Sequence, residues 1–183
     1  MTEDITGKRV AFLLTDGFED SELTSPWQAV TQAGAAATLV SPADGSVTGK
    51  NGHEQTVDLS VSEAQAADFD ALVLPGGVVN ADDLRMDEAA VAFARDFFAQ
   101  HKPVGVICHG AWILADADVL GGRTITSYPS LKTDLRNAGA SWVDEEVVVD
   151  AGLVSSRTPD DLPAFNAKVV EEIAEGEHSG QTA

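Results

Sequence analysis

Cysteine is almost absent from this 183-residue chain: Cys108 is the only one. A single thiol closes no internal disulfide and builds no cysteine-rich metal site. The four histidines, His53, His101, His109 and His178, are too dispersed in sequence to suggest a ligand pair, so no metal is expected. Basic residues are scarce as well, 11 against 30 acidic ones, which gives a net charge of −19. Such a surface repels phosphates and anionic lipid, and this argues against nucleic acid and membrane as partners. The acids are spread in pairs along the chain (Glu3-Asp4, Asp82-Asp83, Glu145-Glu146, Asp160-Asp161, Glu171-Glu172), the pattern of a solvated surface. With few lysines and many alanines, that composition also suggests a salt-adapted cytosol. No apolar run approaches the roughly 20 residues of a spanning helix. The opening MTEDITGKRV lacks the basic-then-apolar order of a secretory leader. The expected location is therefore the cytoplasm.

An apolar content of 44% suits one core in one domain. Strand and helix patterns alternate throughout. Lys8 to Leu14 is an apolar run ending at the turn signal Thr15-Asp16-Gly17 and reads as a buried strand. Ser25-Pro26 resembles a helix start, with the helix stopping at Gly34. Ala37 to Ser41 is the next strand, and glycine-rich residues 42–58 read as a hairpin excursion. Asp70 to Leu74 runs into Pro75-Gly76-Gly77, a helical stripe covers Asp87 to Gln100, and Val104 to Ile107 is a fully buried strand before a helix from Gly110. The last third offers a strand near Thr124, a helix from Ser130 to Ala138, a hairpin across Gly152, a helix from Leu162 to Ala174, and a frayed tail from about residue 176. This order predicts an α/β fold with a mainly parallel sheet covered on both faces. Sites in such sheets gather at the carboxyl ends of central strands, here the loops Thr15–Ser21, Pro75–Asp83 and Cys108–Trp112.

Cys108 ends an apolar strand and is followed by His109-Gly110 and a helix. A sharp strand–nucleophile–helix turn lifts a side chain above the sheet, and Gly105 and Gly110 are the small neighbours it needs. A helix N-terminus would favour the thiolate and lower the thiol's pKa. The alternative is a buried cysteine acting as a small hydrophobe. Glu19, in Asp16-Gly17-Phe18-Glu19-Asp20, is either a site carboxylate or a helix cap. The amides of Gly76-Gly77 are candidate oxyanion donors. His109 needs a favourable turn to meet the adjacent thiol and a third group to orient it, for which Asp82 and Asp83 are candidates if the fold or a second subunit brings them near.

The segments Val106-Ile107-Cys108-His109-Gly110, Leu74-Pro75-Gly76-Gly77 and Gly17-Phe18-Glu19-Asp20-Ser21-Glu22-Leu23 resemble the PfpI intracellular-protease family of the DJ/PfpI superfamily, within the class I glutamine-amidotransferase-like folds. The likeness continues through Thr126-Ser127-Tyr128-Pro129-Ser130 and Val154 to Pro163. It implies a flavodoxin-like three-layer α/β/α sandwich with Cys108 as nucleophile at an elbow, Glu19 as the carboxyl group that hydrogen-bonds it, and His109 beside it. It further implies an oxyanion hole from the amides of Gly77 and His109. From the residues themselves Gly76 is a candidate pocket residue, Tyr128 reads either as pocket lining or as packing, and Trp112, where many members carry a different residue, reads as a core tryptophan at a helix start more than as a pocket wall. Asp82 falls where family peptidases draw an acid from a neighbouring subunit, which implies a homodimer or hexamer. No cofactor is implied. The resemblance offers thiolate attack on carbonyls, either as a cysteine peptidase or as a cofactor-free glyoxalase or deglycase, on small aldehyde, peptide or glycated substrates. A redox-sensing or chaperone-like stress protein using an oxidisable Cys108 is the alternative. A true glutamine amidotransferase fits poorly, because the only histidine after His109 is His178.

Overall fold

The computed structural model describes residues 3–183. In chain order its elements are β1 (Arg9–Leu13), α1 (Asp20–Gln32), β2 (Ala36–Ser41), β3 (Ser46–Thr48), β4 (Glu54–Thr56), β5 (Leu59–Ser60) and β6 (Ala71–Leu74). There follow α2 (Val78–Arg85), α3 (Glu88–Ala99), β7 (Val104–Ile107), α4 (Trp112–Asp116), β8 (Thr124–Ile125), α5 (Lys132–Asn137), β9 (Ser141–Trp142), β10 (Val148–Asp150), β11 (Leu153–Ser156) and α6 (Leu162–Glu175).

Seven strands form one sheet in the order β10-β11-β7-β6-β1-β2-β5, parallel except for the β10–β11 hairpin. The central strands are buried on both faces, and successive residues feed opposite cores. Val10, Phe12 and Leu14 join α1 and α6 residues such as Leu23, Val30, Phe165 and Val169. Ala11 and Leu13 join Leu84, Phe93, Phe97, Ile113 and Leu135 from α2, α3, α4 and α5. The result is the flavodoxin-like three-layer arrangement. Gly105 permits it on one face: a Cβ there would lie 2.7 Å from Val169 Cγ2, so α6 closes directly on β7. The chain builds outward from β1 to β2 and β5, then returns to add β6 and β7 on the other side. That reversal opens a crevice at the carboxyl ends of β1, β6 and β7.

Several boundaries differ from the sequence reading. Helix α1 begins at Asp20 rather than near Ser25, with Pro26 inside it. The proline's missing N–H forfeits one helical bond, but the helix face carrying Glu22, Leu23, Pro26 and Val30 is buried, and tertiary packing outweighs the local break. Residues read as a loop after Gly77 form α2. The expected helix from Gly110 is a 3₁₀ turn, Cys108–Ala111, leading into the short α4. The segment read as a frayed tail is folded back. The His178 N–H donates to the His101 carbonyl at 2.8 Å, and Gln181, fully buried, donates its side-chain amide to the Lys102 carbonyl at 3.1 Å. No helix among the described residues is long and apolar enough to cross a membrane.

Candidate active site

Three loops from the ends of β1, β6 and β7 meet at Cys108. The cysteine has φ +61°, a left-handed backbone that a non-glycine residue holds only when its surroundings enforce it. They do: a Cβ on Gly110 would sit 2.5 Å from the Leu74 carbonyl oxygen, so only glycine lets the turn close on β6. The Cys108 carbonyl in turn accepts from the Tyr128 N–H at 3.2 Å. Gly77, at φ +90°, is equally fixed, since a Cβ there would lie 2.5 Å from the Gly17 carbonyl oxygen. Buried Asn80 holds the β6–α2 loop with three hydrogen bonds. It donates to the carbonyls of Pro75 and Gly76 at 3.2 and 2.9 Å and accepts from the Thr15 N–H at 2.7 Å.

The backbone N–H groups of Gly77 and His109 both point at the Cys108 sulfur. His109 follows through the 3₁₀ turn, and its Nδ1 comes within 3.2 Å of Sγ, so the two adjacent side chains converge. Nε2 faces Ser130 Oγ at 3.3 Å, the Tyr128 ring stacks on the imidazole at 4.6 Å, and Trp112 meets its edge at 5.6 Å. Burial, and then the nearby Lys50 charge, hold the imidazole below its ordinary pKa, so it is neutral at neutral pH.

The carboxyl group beside the thiol is Glu22, which corrects the assignment of Glu19. Glu22 occupies the first turn of α1 and is fully buried. Its Oε2 accepts from the Gly76 N–H at 2.7 Å, while Oε1 is buried without a partner, and the carboxyl lies within hydrogen-bonding reach of the Cys108 thiol. Glu19 is the extended residue preceding the helix, and its side chain turns outward to an ion pair with Lys50 at the pocket mouth. Glu19 still belongs to the extended loop, whereas Glu22 lies within the first helical turn on the buried face it shares with Leu23 and Pro26, so the inward position falls to Glu22. Burial raises the Glu22 pKa from 4.5 to about 8, so the group keeps its proton at neutral pH.

The thiol is also corrected in direction. The sequence suggests a lowered pKa from a helix N-terminus, but burial and then the Glu22 charge push Cys108 up to about 12, against the opposing amides of His109 and Gly77. The two protons belong to one coupled pair. While Glu22 is protonated it places no negative charge beside a forming thiolate, and it can donate a hydrogen bond to it.

The pocket has a volume of about 180 Å³ and is lined by Glu19, Glu22, Lys50, Gly77, Val78, Cys108, His109, Tyr128 and Pro159. Lys50, Val78 and Pro159 are not singled out by the sequence. Lys50 arrives from the excursion loop because the Asp20 carboxylate accepts the N–H groups of Asn51 and His53 at 2.9 and 2.7 Å. Tyr128 lines the pocket. Gly76 holds Glu22 from behind the elbow, and Trp112 stands outside, donating its indole N–H to Asp134 at 2.9 Å. Asp82 lies exposed on α2 and makes no hydrogen bond or ion pair with His109 among the described residues.

The model of the DJ-1/PfpI family matches residues 8–172. The chain belongs to the DJ-1/PfpI family. Among its family relatives, protein/nucleic acid deglycase 2 of Escherichia coli is 49% identical over 166 residues, covering 89% of this chain and 96% of that protein. General stress protein 18 of Bacillus subtilis is 48% identical over 163 residues, covering 87% and 94%. A crystal structure of a ThiJ/PfpI domain protein from Brachyspira murdochii superposes with a TM-score of 0.88 at 26% identity, over 93% of this chain and 98% of that one. These likenesses support an enzyme of DJ-1/PfpI type.

Proposed function

We propose that the chain is a Cys108-dependent enzyme acting on small reactive carbonyls, as a glyoxalase or as a deglycase of their early amine adducts, in stress protection. The observation that carries this reading is the size of the pocket around the thiol. Its volume of about 180 Å³ accommodates a three-carbon dicarbonyl directly against the thiol. The names of the deglycase and general stress relatives point the same way.

In this mechanism the Sγ–H proton passes to His109 Nδ1 as Sγ bonds to the aldehyde carbon. The carbonyl electron pair moves to oxygen under the Gly77 and His109 amides. Glu22 gives its proton to that oxygen, forming a hemithioacetal. The carbon-bound proton then moves to the adjacent carbonyl carbon through an enediol, with Glu22 and His109 exchanging the protons, and leaves a thioester of a 2-hydroxy acid. Water hydrolyses the thioester and restores the thiol. One water is consumed and no oxidant is needed.

The reading takes the protein to be cytoplasmic and a homodimer or hexamer. Val78 and Val79, 53% and 57% exposed on the same helix as Asp82, support a subunit contact there, through which Asp82 would reach a partner's His109. Conversion of methylglyoxal to lactate by the wild type and Cys108→Ala tests the chemistry, with loss of turnover expected in the variant. Full activity in Cys108→Ala, or peptide hydrolysis faster than methylglyoxal loss, would overturn the proposal. If peroxide oxidises Cys108 to sulfinic acid in a protein with no turnover, the redox-sensing reading replaces it.

A further inference from the structure

A second cluster lies at the opposite end of the sheet from Cys108. Helix α6 ends at Glu175, and Gly176, at φ +88°, turns the chain back so that His178 returns to the helix end. His178 Nε2 lies 3.2 Å from Glu172 Oε2 and 3.9 Å from Glu175 Oε2. One ligand atom from each of the three residues falls within a 4.8 Å group.

This is an unusual concentration of negative charge. The Glu172 side chain is only 7% exposed, the last turn of α6 has no basic residue, and Lys168 is engaged by Glu171 at 2.7 Å. The helix dipole adds to it, because a C-terminus favours cations and this one presents carboxylates. His178 Nε2 is itself buried and meets no hydrogen-bond partner, even though both carboxylates are near. Ligands about 2.1 Å from a tetrahedral ion stand about 3.4 Å from one another, a spacing that the observed 3.2 and 3.9 Å bracket.

We propose that Glu172, Glu175 and His178 bind one divalent transition-metal ion of the zinc type. One imidazole nitrogen and two carboxylates suit zinc or cobalt, whereas magnesium and calcium prefer oxygen ligands throughout. The ion's role is structural. His178 packs against Gly152, where a Cβ would lie 2.9 Å from its Cδ2, and its N–H is held by the His101 carbonyl. A metal here fastens together the end of α6, the returning tail and the β10–β11 turn, far from the nucleophile.

Zinc titration of the full-length chain carrying Cys108→Ser, which removes the one thiol, tests the site in high salt that suppresses counterion binding. One equivalent of zinc is expected to bind and to raise the thermal midpoint, with no comparable effect of magnesium. His178→Ala should weaken zinc by at least about tenfold. Glu175→Gln, at a 55% exposed side chain that tolerates change, should weaken it also, and circular dichroism confirms that both variants are folded. Cobalt should give visible d–d bands that vanish in His178→Ala. Zinc binding unchanged in folded His178→Ala and Glu175→Gln, or matched by magnesium, would overturn the proposal.

Discussion

Replacing Glu22 by glutamine should change how stability depends on pH. In the fold the carboxyl titrates at about 8, against 4.5 for an unburdened glutamate. Between those values the folded chain holds a proton that the unfolded chain has released. The stabilising contribution of that proton is complete below the unfolded value, falls by about 1.4 kcal/mol per pH unit through the window, and is gone above about pH 8. Because the side chain is fully buried, solvent screening does not discount the effect, and the whole span is worth about 4–5 kcal/mol.

Glutamine keeps the shape and can still accept from the Gly76 N–H, but it has no proton to lose. Other groups that titrate in the same range cancel when the two proteins are compared. Urea unfolding of wild type and Glu22→Gln from about pH 5 to about pH 7.5 should therefore show the wild type losing about 3 kcal/mol relative to the variant. A difference that stays constant to within about 1 kcal/mol across that range would mean that Glu22 ionises normally, and the buried acid would have no place in the chemistry.

Above about pH 8, where Glu22 is ionised, Glu22→Gln should lower the Cys108 pKa and speed alkylation by iodoacetamide; a rate equal to wild type at about pH 9 would remove the coupling. Asn80→Ala removes three hydrogen bonds from the loop carrying Gly77, and a loss of about 2–4 kcal/mol with a fall in kcat is expected. A loss in unfolding free energy below about 1 kcal/mol would show that the loop holds itself. The pH profile of kcat/KM should rise with a pKa below 6.5, as His109 becomes neutral, and fall near 8, as Glu22 loses its proton. An alkaline limb near 8 that survives in Glu22→Gln would assign that limb to another group.

Much of the sheet was legible because its strands are short apolar runs bounded by glycine and proline, and β1, β6 and β7 fall close to where those runs lie. Helix α2 was not, since Val78-Val79-Asn80 carries no apolar stripe, and its start is set by Gly77 and the surrounding hydrogen bonds. The elbow at Cys108 was legible from its small neighbours and its place at a strand end. The choice between Glu19 and Glu22 was not, because both stand in one acidic loop and only the true start of α1 decides which points inward. Pro26 hid that start. Lys50 and Ser130 were invisible for another reason: they reach the site from loops whose paths depend on Asp20 and on the turn at Pro129.

Two conditions at Cys108 work against stability. Its positive φ costs about 1–3 kcal/mol, and the fully buried Glu22 beside it costs the fold stability as the pH rises toward 8. Each would be relieved by one substitution, Cys108→Gly or Glu22→Gln. The surrounding loops instead commit their hydrogen bonds to holding the strain: Asn80 spans β1 and β6, Gly76 binds Glu22, and Asp20 pins the Lys50 loop. A scaffold residue in this position would have no reason to be held so firmly in an unfavourable state. What the strained arrangement provides is a sulfur under two amides, one neutral imidazole that can accept its proton and one neutral carboxyl that can supply another. In the proposed mechanism those groups would favour the transition state for carbonyl addition more than the resting thiol, which is the condition for catalysis rather than for tight ground-state binding.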